Sequence, residues 1–243
     1  MKAISATDTG LVRAENQDAA VIKEPSGAVL AVICDGMGGE RSGKKAAEIA
    51  SAAVARFIED NYKHPFSAKD TKKLMKNAVA EANGKVYFAA MSNLNDYGMG
   101  TTCVTALVTD KKIYIINVGD SRAYLYKGGA LAQLTIDHTY VQMLYERGEI
   151  EKHELETHPK RNMLTKAVGI AGSINGDFFY LKRPEESFKL LLCSDGLSGY
   201  CSCEEIKDIL DRHDEAQEAA DELVKLANSK GGMDNVTIAI VTN

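Results

Sequence analysis

The spacing of hydrophobic and polar residues divides the chain into helical and strand-like blocks. Apolar residues recur every three or four positions over residues 46–58 and 74–90, which predicts two amphipathic helices. The same spacing predicts helices near residues 202–212 and 214–229, and residues 137–151 are predicted to form a short helix. The long helices therefore form two groups, one on each side of the central part of the chain.

The central part of the chain has the composition of a β-sheet. Four segments rich in β-branched and aromatic residues are separated by links of two or three residues, and they cover residues 102–109, 112–118, 122–127 and 130–134. Such short links fit antiparallel hairpins and leave no room for helical crossovers. Further strands are predicted at residues 2–6, 19–23, 28–34, 188–194 and 236–241. This grouping predicts an α+β fold with layered antiparallel sheets.

No change in composition divides the chain into two domains. Only four prolines occur, and no repeat is present. We therefore predict one domain over residues 1–243. The polar stretch 152–162 is the best candidate for a mobile surface segment, and we predict a flap over residues 139–163.

Composition and charge exclude several classes of protein. The chain is 45% apolar and 26% charged, as in soluble globular proteins, and its net charge of −5 does not favour nucleic acid or an anionic membrane as partner. Its apolar runs are far shorter than the ~20 residues that span a bilayer. Met1 leads directly into a strand-like segment, without the pattern of a signal peptide. We expect a cytoplasmic monomer.

The five cysteines predict buried, reduced thiols. They are odd in number and lie mostly inside apolar runs, which does not suit a disulfide framework. Cys201 and Cys203 have no matching pair and no nearby histidine, so a zinc site there is not predicted. None of the cysteines has an arginine six residues on, as the loop of cysteine-nucleophile phosphatases requires.

Aspartates stand at the ends of the most apolar segments. Asp35 and Asp195 follow such segments, Asp234 precedes one, and Asp18 and Asp120 lie next to other strands. In an antiparallel sheet these positions can meet at one edge, where the carboxylates would repel each other without cations. Oxygen-only ligands suit Mg²⁺ or Mn²⁺ and argue against zinc. The alternative is that each aspartate simply forms a turn.

Seven short motifs occur in a fixed order along the chain. They are RAENQD (13–18), CDGMGG (34–39), GTT (100–102), VGDSR (118–122), LTIDH (134–138), LCSDGL (192–197) and DNVT (234–237). Together they resemble the motifs of bacterial metal-dependent protein serine/threonine phosphatases of the 2C type. The resemblance implies a four-layer sandwich of two antiparallel β-sheets flanked by helices.

The resemblance also implies a metal centre with two ions of Mn²⁺ or Mg²⁺. Asp35 would bridge the two ions, the carbonyl of Gly36 would bind one of them, and Asp195 and Asp234 would bind the other. A glycine lets the backbone approach an ion closely, in agreement with that role for Gly36. The implied reaction is hydrolysis of phosphoserine and phosphothreonine by a bridging metal-bound hydroxide.

Three further residues receive roles from the resemblance. Asp18 would hold metal-bound water, and Asp120 would help to bind a third, weaker ion. Arg13 would grip the substrate phosphate, for which a planar, two-pronged donor is well suited. The implied partners are phosphoproteins and a serine/threonine kinase that opposes the enzyme.

The proton donor for the leaving group stays open. Animal members of the family carry a histidine directly after the Asp-Gly pair, where this chain has Met37, and many bacterial members carry one where this chain has Glu40. The remaining candidates are a metal-bound water and His138, if the fold brings His138 near.

Two other functions compete with hydrolysis. Residues 38–45 have the glycine and lysine spacing of a P-loop, but Lys45 stands where a serine or threonine should hold Mg²⁺. The hairpins also clash with the mostly parallel sheet of that fold. The second alternative is a non-catalytic, phosphoprotein-binding or sensor module on the same fold. Such modules typically lose a metal ligand, which this chain has not done.

Overall fold

The computed structural model describes residues 1–38 and 42–243, which form eleven strands and six α-helices. The strands are β1 (Lys2–Asp8), β2 (Asp18–Lys23), β3 (Val29–Met37), β4 (Gly100–Thr101), β5 (Cys103–Val108), β6 (Lys112–Val118), β7 (Arg122–Lys127), β8 (Ala130–Gln133), β9 (Asp177–Lys182), β10 (Phe188–Cys193) and β11 (Val236–Thr242). The helices are α1 (Ser42–Asn61), α2 (Ala68–Ser92), α3 (Tyr140–Glu146), α4 (Asp195–Ser198), α5 (Cys203–Arg212) and α6 (Ala216–Ser229).

The strands form two sheets in which every described pairing is antiparallel. One sheet has the order β1-β11-β10-β7-β8. The other has the order β2-β3-β5-β6-β9, and the short β4 pairs with β3. The all-antiparallel arrangement confirms the prediction from the short links and contradicts the parallel sheet that a P-loop fold requires.

Alternation along β3 shows how the layers stack. Val29, Ala31 and Ile33 pack into the core between the two sheets. Their neighbours Leu30, Val32 and Cys34 pack instead into a core with α1 and α2. Because both faces of this strand are covered, its sequence is continuously apolar. Helices α4, α5 and α6 cover the outer face of the other sheet, so the fold is the predicted four-layer sandwich.

The structure corrects some of the predicted elements. Strand β3 does not end at Cys34 but continues to Met37, so Asp35 lies within the strand and not after it. The helix predicted within residues 137–151 covers only Tyr140–Glu146. Strands β4 and β9 were not predicted. In the described part of the chain, no helix is long and apolar enough to cross a membrane.

Candidate metal centre

Strand pairing brings Asp18 and Asp35 together. Asp18 is the first residue of β2, and it lies opposite Asp35 of β3 in the antiparallel register. The backbone around Asp35 is fixed by two threonines. Asp35 N–H donates to Thr102 Oγ1 at 2.9 Å, and Thr101 Oγ1 donates to the Asp35 carbonyl at 2.8 Å. The two carboxylates therefore stand on adjacent, rigid strands.

Asp195 and Asp234 are brought together by the pairing of β10 and β11. The backbone N–H of Ser194 donates to the Thr237 carbonyl at 3.0 Å, and Thr237 N–H donates to Ser194 Oγ at 2.9 Å. Next to these contacts, Gly196 lies so close to Asn235 that a Cβ on the glycine would be 1.8 Å from the Asn235 carbonyl oxygen. This close contact joins the backbones that carry the two aspartates.

Asn235 attaches the N-terminal loop to this edge. Its Nδ2 donates to the carbonyls of Thr9 (2.9 Å) and Glu15 (3.0 Å), and its Oδ1 accepts from Gln17 N–H at 2.8 Å. The loop that contains Arg13 is thus held beside Asp234. Asn235 and Ser194 belong to the sequence motifs, but the sequence did not assign them these supporting roles.

The carboxylates raise one another's pKa. Burial, followed by the charges of Asp18, Asp195 and Asp120, holds the pKa of Asp35 well above its ordinary value. Burial raises the pKa of Asp18 to about 7 and that of Asp120 to about 8, and in both cases Asp195 adds to the effect. Burial and the charge of Asp234 raise the pKa of Asp195 in the same way. The four groups share one electrostatic environment.

This cluster is not sealed inside the core. Asp18, Asp35, Asp120 and Asp195 each retain some solvent accessibility, although protein atoms surround them densely. Water that reaches a carboxylate reduces the cost of its charge. The accessibility also leaves the cluster open to a ligand.

One oxygen of Asp18 lacks a partner. Its Oδ2 accepts a hydrogen bond from Ser194 Oγ at 2.7 Å. Its Oδ1 is buried and has no hydrogen-bond partner among the described residues. A buried carboxylate oxygen without a partner is costly, and a cation or its bound water would satisfy it.

The donor set fits a hard divalent cation. Every candidate ligand is an oxygen atom, from Asp18, Asp35, Asp120, Asp195 and Asp234 and from the Gly36 carbonyl, as Mg²⁺ and Mn²⁺ prefer. Among residues 1–38 and 42–243, however, no three His, Cys, Asp or Glu side chains already stand as a closed ligand cage. Asp35 and Asp195 lie close enough for each to shift the pKa of the other. The residues thus fit a cation by their chemistry and clustering.

Arg13 lies at the rim of the cluster. Its Nη2 donates to Asp234 Oδ2 at 2.7 Å, and about half of its side chain is exposed. The hydrogen bond to Asp234 raises the pKa of Arg13, and the charges of Asp195 and Asp35 act in the same direction. An exposed guanidinium next to the carboxylates is placed to meet an anionic ligand that approaches them.

His138 supports the turn that carries Asp120. Gly119 N–H donates to His138 Nδ1 at 3.0 Å, and His138 N–H donates to the Gly119 carbonyl at 3.0 Å. Because Nδ1 accepts, neutral His138 carries its ring proton on Nε2, which lies 3.2 Å from both Asp177 Oδ2 and Lys166 Nζ. Both ring nitrogens are therefore engaged in structural contacts, which does not favour His138 as the proton donor.

The two positions at which family members carry a histidine, Met37 and Glu40, identify no proton donor. Met37 is the last residue of β3 and lies opposite Gly100. Its thioether carries no proton to donate. Glu40 lies outside the described residues, and so does part of the P-loop-like segment. Within that segment, Lys44 forms an ion pair with Glu15 (3.0 Å) and Lys45 with Asp96 (2.6 Å).

Comparison with known proteins identifies the family. A family model described as protein phosphatase 2C matches residues 12–237, a range that contains every carboxylate of the cluster. The chain belongs to the protein phosphatase 2C family. A serine/threonine phosphatase named Stp from Listeria monocytogenes is 36% identical over 239 residues, which cover 97% of this chain and 93% of that protein.

Solved structures of family members share the fold. A bacterial serine phosphatase superposes with a TM-score of 0.92 at 35% identity, covering 100% of this chain and 97% of that chain. The catalytic domain of the serine/threonine protein phosphatase PstP, solved in complex with two manganese ions, superposes with a TM-score of 0.83 at 30% identity, covering 98% of this chain and 96% of that chain. These matches confirm the predicted α+β sandwich of the 2C family.

Proposed function

We propose that this protein hydrolyses phosphoserine and phosphothreonine in other proteins, with Mn²⁺ or Mg²⁺ as cofactor. The observation that carries the proposal is the convergence of five aspartates at one end of the sandwich, next to an exposed arginine. The manganese ions in the related PstP structure and the names of the relatives support it. We also propose a role for each residue of the site.

Asp35, the Gly36 carbonyl, Asp195 and Asp234 would hold two cations, and Asp18 would orient water at one of them. Asp120 would help to hold a third. When bound, the cations would lower the pKa of a water molecule and shield the negative phosphoryl oxygens. The protein contributes rigidity, because Thr101, Thr102, Ser194 and Asn235 fix the backbones that carry the carboxylates.

Arg13 would bind the substrate phosphate. Asp234 accepts from Nη2, and a guanidinium has five N–H donors, so the group can bind an anion while the ion pair orients it. The leaving-group oxygen of serine or threonine also needs a proton. Since His138 is held by Gly119 and Asp177, we propose that water beside the carboxylates supplies this proton.

Turnover of p-nitrophenyl phosphate tests the proposal. We expect activity with Mn²⁺, loss of activity in chelator, and a fall on the order of a hundredfold or more in Asp35→Asn. Asp110→Asn is the matched control, because Asp110 is an exposed aspartate in a hairpin of the same sheet. Full activity in chelator or in Asp35→Asn would contradict the two-metal mechanism. Binding of phosphopeptides without any turnover would support the non-catalytic alternative.

The cellular context is also part of the proposal. We infer that phosphoproteins are the substrates, and that a serine/threonine kinase produces them. We further propose that the protein acts as a monomer in the cytoplasm. Size-exclusion chromatography with light scattering would test the oligomeric state, and a dimer would contradict the expected monomer.

A further inference from the structure

A groove lies at the β9 edge of the second sheet, and none of the residues assigned to catalysis lines it. It has a volume of about 360 Å³ and is lined by Lys72 and Lys76 of α2 and by residues 175–179. In the described part of the chain, β9 is the edge strand of its sheet. Since side chains of a strand alternate between its two faces, a groove lined by consecutive residues runs along the edge of the strand.

The lysines of this groove are not neutralised by carboxylates. Lys76 Nζ donates to the neutral Asn175 Oδ1 at 2.8 Å, and Lys72 Nζ lies 5.9 Å from the centre of the Phe178 ring. Within residues 1–38 and 42–243, neither lysine has a carboxylate within 4.0 Å. The one acidic residue of the lining, Asp177, is paired with Lys166 at 3.0 Å. The groove therefore carries net positive charge in a chain whose net charge is −5.

The aromatic side chains of β9 extend this basic surface. Tyr180 is half exposed, and its ring lies 5.7 Å from that of Tyr114. Lys112 Nζ lies over the Tyr180 ring at 4.6 Å. Cation–π contacts thus hold Lys72 and Lys112 above successive rings on the same face of β9. From Asn175 to Tyr180 the surface is roughly 17 Å long, enough for a short extended peptide.

The position of these lysines is unfavourable for α2 itself. Lys69, Lys72, Lys73 and Lys76 all lie within the first nine residues of α2, and Lys69 stands in the first turn, where the helix dipole disfavours positive charge. They also form two like-charge pairs four residues apart, which repel each other. A binding role accounts for the cost at Lys72 and Lys76, the two that face the groove.

We propose that this groove binds an extended acidic segment of a protein substrate. An edge strand offers backbone N–H and C=O groups to such a segment, and Lys72, Lys76 and Lys112 match its carboxylates. Asp177 of the groove lies opposite Asn117, two residues before the Gly119 turn that leads to Asp120. A bound segment would thus lie one strand away from the carboxylate cluster. This inference rests on the proposed function, since it assigns a substrate class to the same enzyme.

Fluorescence anisotropy with a labelled peptide that alternates glutamate and threonine tests the binding step without catalysis. We expect the double variant Lys72→Ala/Lys76→Ala to bind about tenfold more weakly. Lys69→Ala/Lys73→Ala is the matched control, with the same charge, helix and spacing outside the groove. We expect a loss of no more than about twofold in the control.

Three binding results would overturn the inference. The first is an equal loss of affinity in both double variants, and the second is unchanged affinity when glutamine replaces glutamate in the peptide. The third is tighter binding of a single-stranded oligonucleotide at the same salt concentration, which would assign the groove to a different polyanion.

Steady-state kinetics distinguish a failure of the groove proposal from a failure of the proposed phosphatase activity. With a phosphopeptide that carries the same acidic stretch, kcat/KM should fall about tenfold in Lys72→Ala/Lys76→Ala through a higher KM. Turnover of p-nitrophenyl phosphate should stay unchanged in this variant. A parallel fall for both substrates would overturn the inference. If the wild-type protein hydrolyses neither substrate, the proposed function fails, and the anisotropy measurement still decides the groove.

Discussion

Gly196 is the residue at which the fold of the site depends most directly on the absence of a side chain. A Cβ there would lie 1.8 Å from the Asn235 carbonyl oxygen, a backbone atom that cannot turn aside. Any side chain must therefore push apart the two backbones that carry Asp195 and Asp234.

We expect Gly196→Ala to destabilise the protein by about 3 kcal/mol and to abolish phosphatase activity. Thermal unfolding and p-nitrophenyl phosphate turnover measure both effects. Gly84→Ala is a suitable control. Gly84 lies inside helix α2 with no atom near its added Cβ, so alanine should stabilise the protein by roughly 0.5–1 kcal/mol. A stable, active Gly196→Ala variant would contradict the predicted clash.

His138 is the second residue with a testable structural role. Burial lowers its pKa, and its Nδ1 accepts the hydrogen bond of Gly119 N–H. Gly119 has φ +102°, and a Cβ there would lie 2.6 Å from the Thr102 side chain. The turn before Asp120 therefore needs both the glycine and the histidine.

Two replacements of His138 distinguish a structural role in the turn from a role as proton donor. His138→Ala leaves a buried N–H without its acceptor, so we expect a loss of about 1–3 kcal/mol. It should also weaken binding of the most labile Mn²⁺, measured by calorimetry. In His138→Asn the amide oxygen can replace Nδ1 and restore most of both properties. An Asn variant that is stable but inactive at every pH would instead support His138 as the acid.

The sequence could predict that the aspartates of the site meet at one edge of the sheets, but it could not predict their contacts. Asp35, Asp195 and Asp234 could be singled out because charged residues at the ends of apolar segments are unusual. The hydrogen bond of Ser194 to Asp18 joins residues 176 positions apart. Nothing local in the sequence marks such a pair, because the two-sheet arrangement alone brings it together.

Among the elements, segments with strong periodicity were predicted well and short or edge segments were not. Helices α1 and α2 bury regular apolar faces, whose spacing is visible in the sequence. Strand β9 is half exposed and pairs only with β6 in the described residues, so its burial pattern is weak. Helix α3 is shorter than predicted, with Thr139 as its N-cap at a side-chain distance of 3.2 Å from Gln142 N–H.

The predicted flap is an element with defined ends. Thr139 forms a β-bridge with Leu164, the residue after the flap, and Tyr140 N–H donates to the Met163 carbonyl at 2.7 Å. Between these contacts, Lys152, Lys160 and Arg161 are exposed. The segment is therefore tied at its base while its cationic residues remain accessible.

Limited trypsin digestion tests whether the flap closes over substrate. We expect cleavage at Lys152, Lys160 or Arg161 to slow in the presence of a phosphopeptide and the inactive Asp35→Asn background. The exposed Lys63, between α1 and α2, serves as an internal reference site and should be cleaved at an unchanged rate. Equal cleavage of the flap with and without phosphopeptide would contradict its role.

At the scale of the whole molecule, two sheets meet at an edge where like charges accumulate. The sandwich fixes Asp18 and Asp120 near Asp195, and burial with this mutual repulsion raises their pKa to about 7 and about 8. The ordinary value is 3.8. At pH values between the ordinary pKa and the raised pKa, the folded protein holds protons that the unfolded chain releases. Its stability must then fall as the pH rises through this range.

We expect the protein in chelator to lose stability between about pH 4 and pH 8, with Asp18 contributing up to about 4 kcal/mol. The partial accessibility of Asp18 makes this figure an upper limit. Mn²⁺ competes with these protons, so the rise in Tm that it causes should grow with pH.

Thermal unfolding of wild type and of Asp18→Asn across this range, with and without Mn²⁺, provides the measurement. A flatter pH dependence in Asp18→Asn is expected, because the amide has no proton to release. A chelated wild-type protein whose Tm rises over the same range would show that the carboxylates do not repel one another, and the electrostatic basis of the metal centre would be wrong.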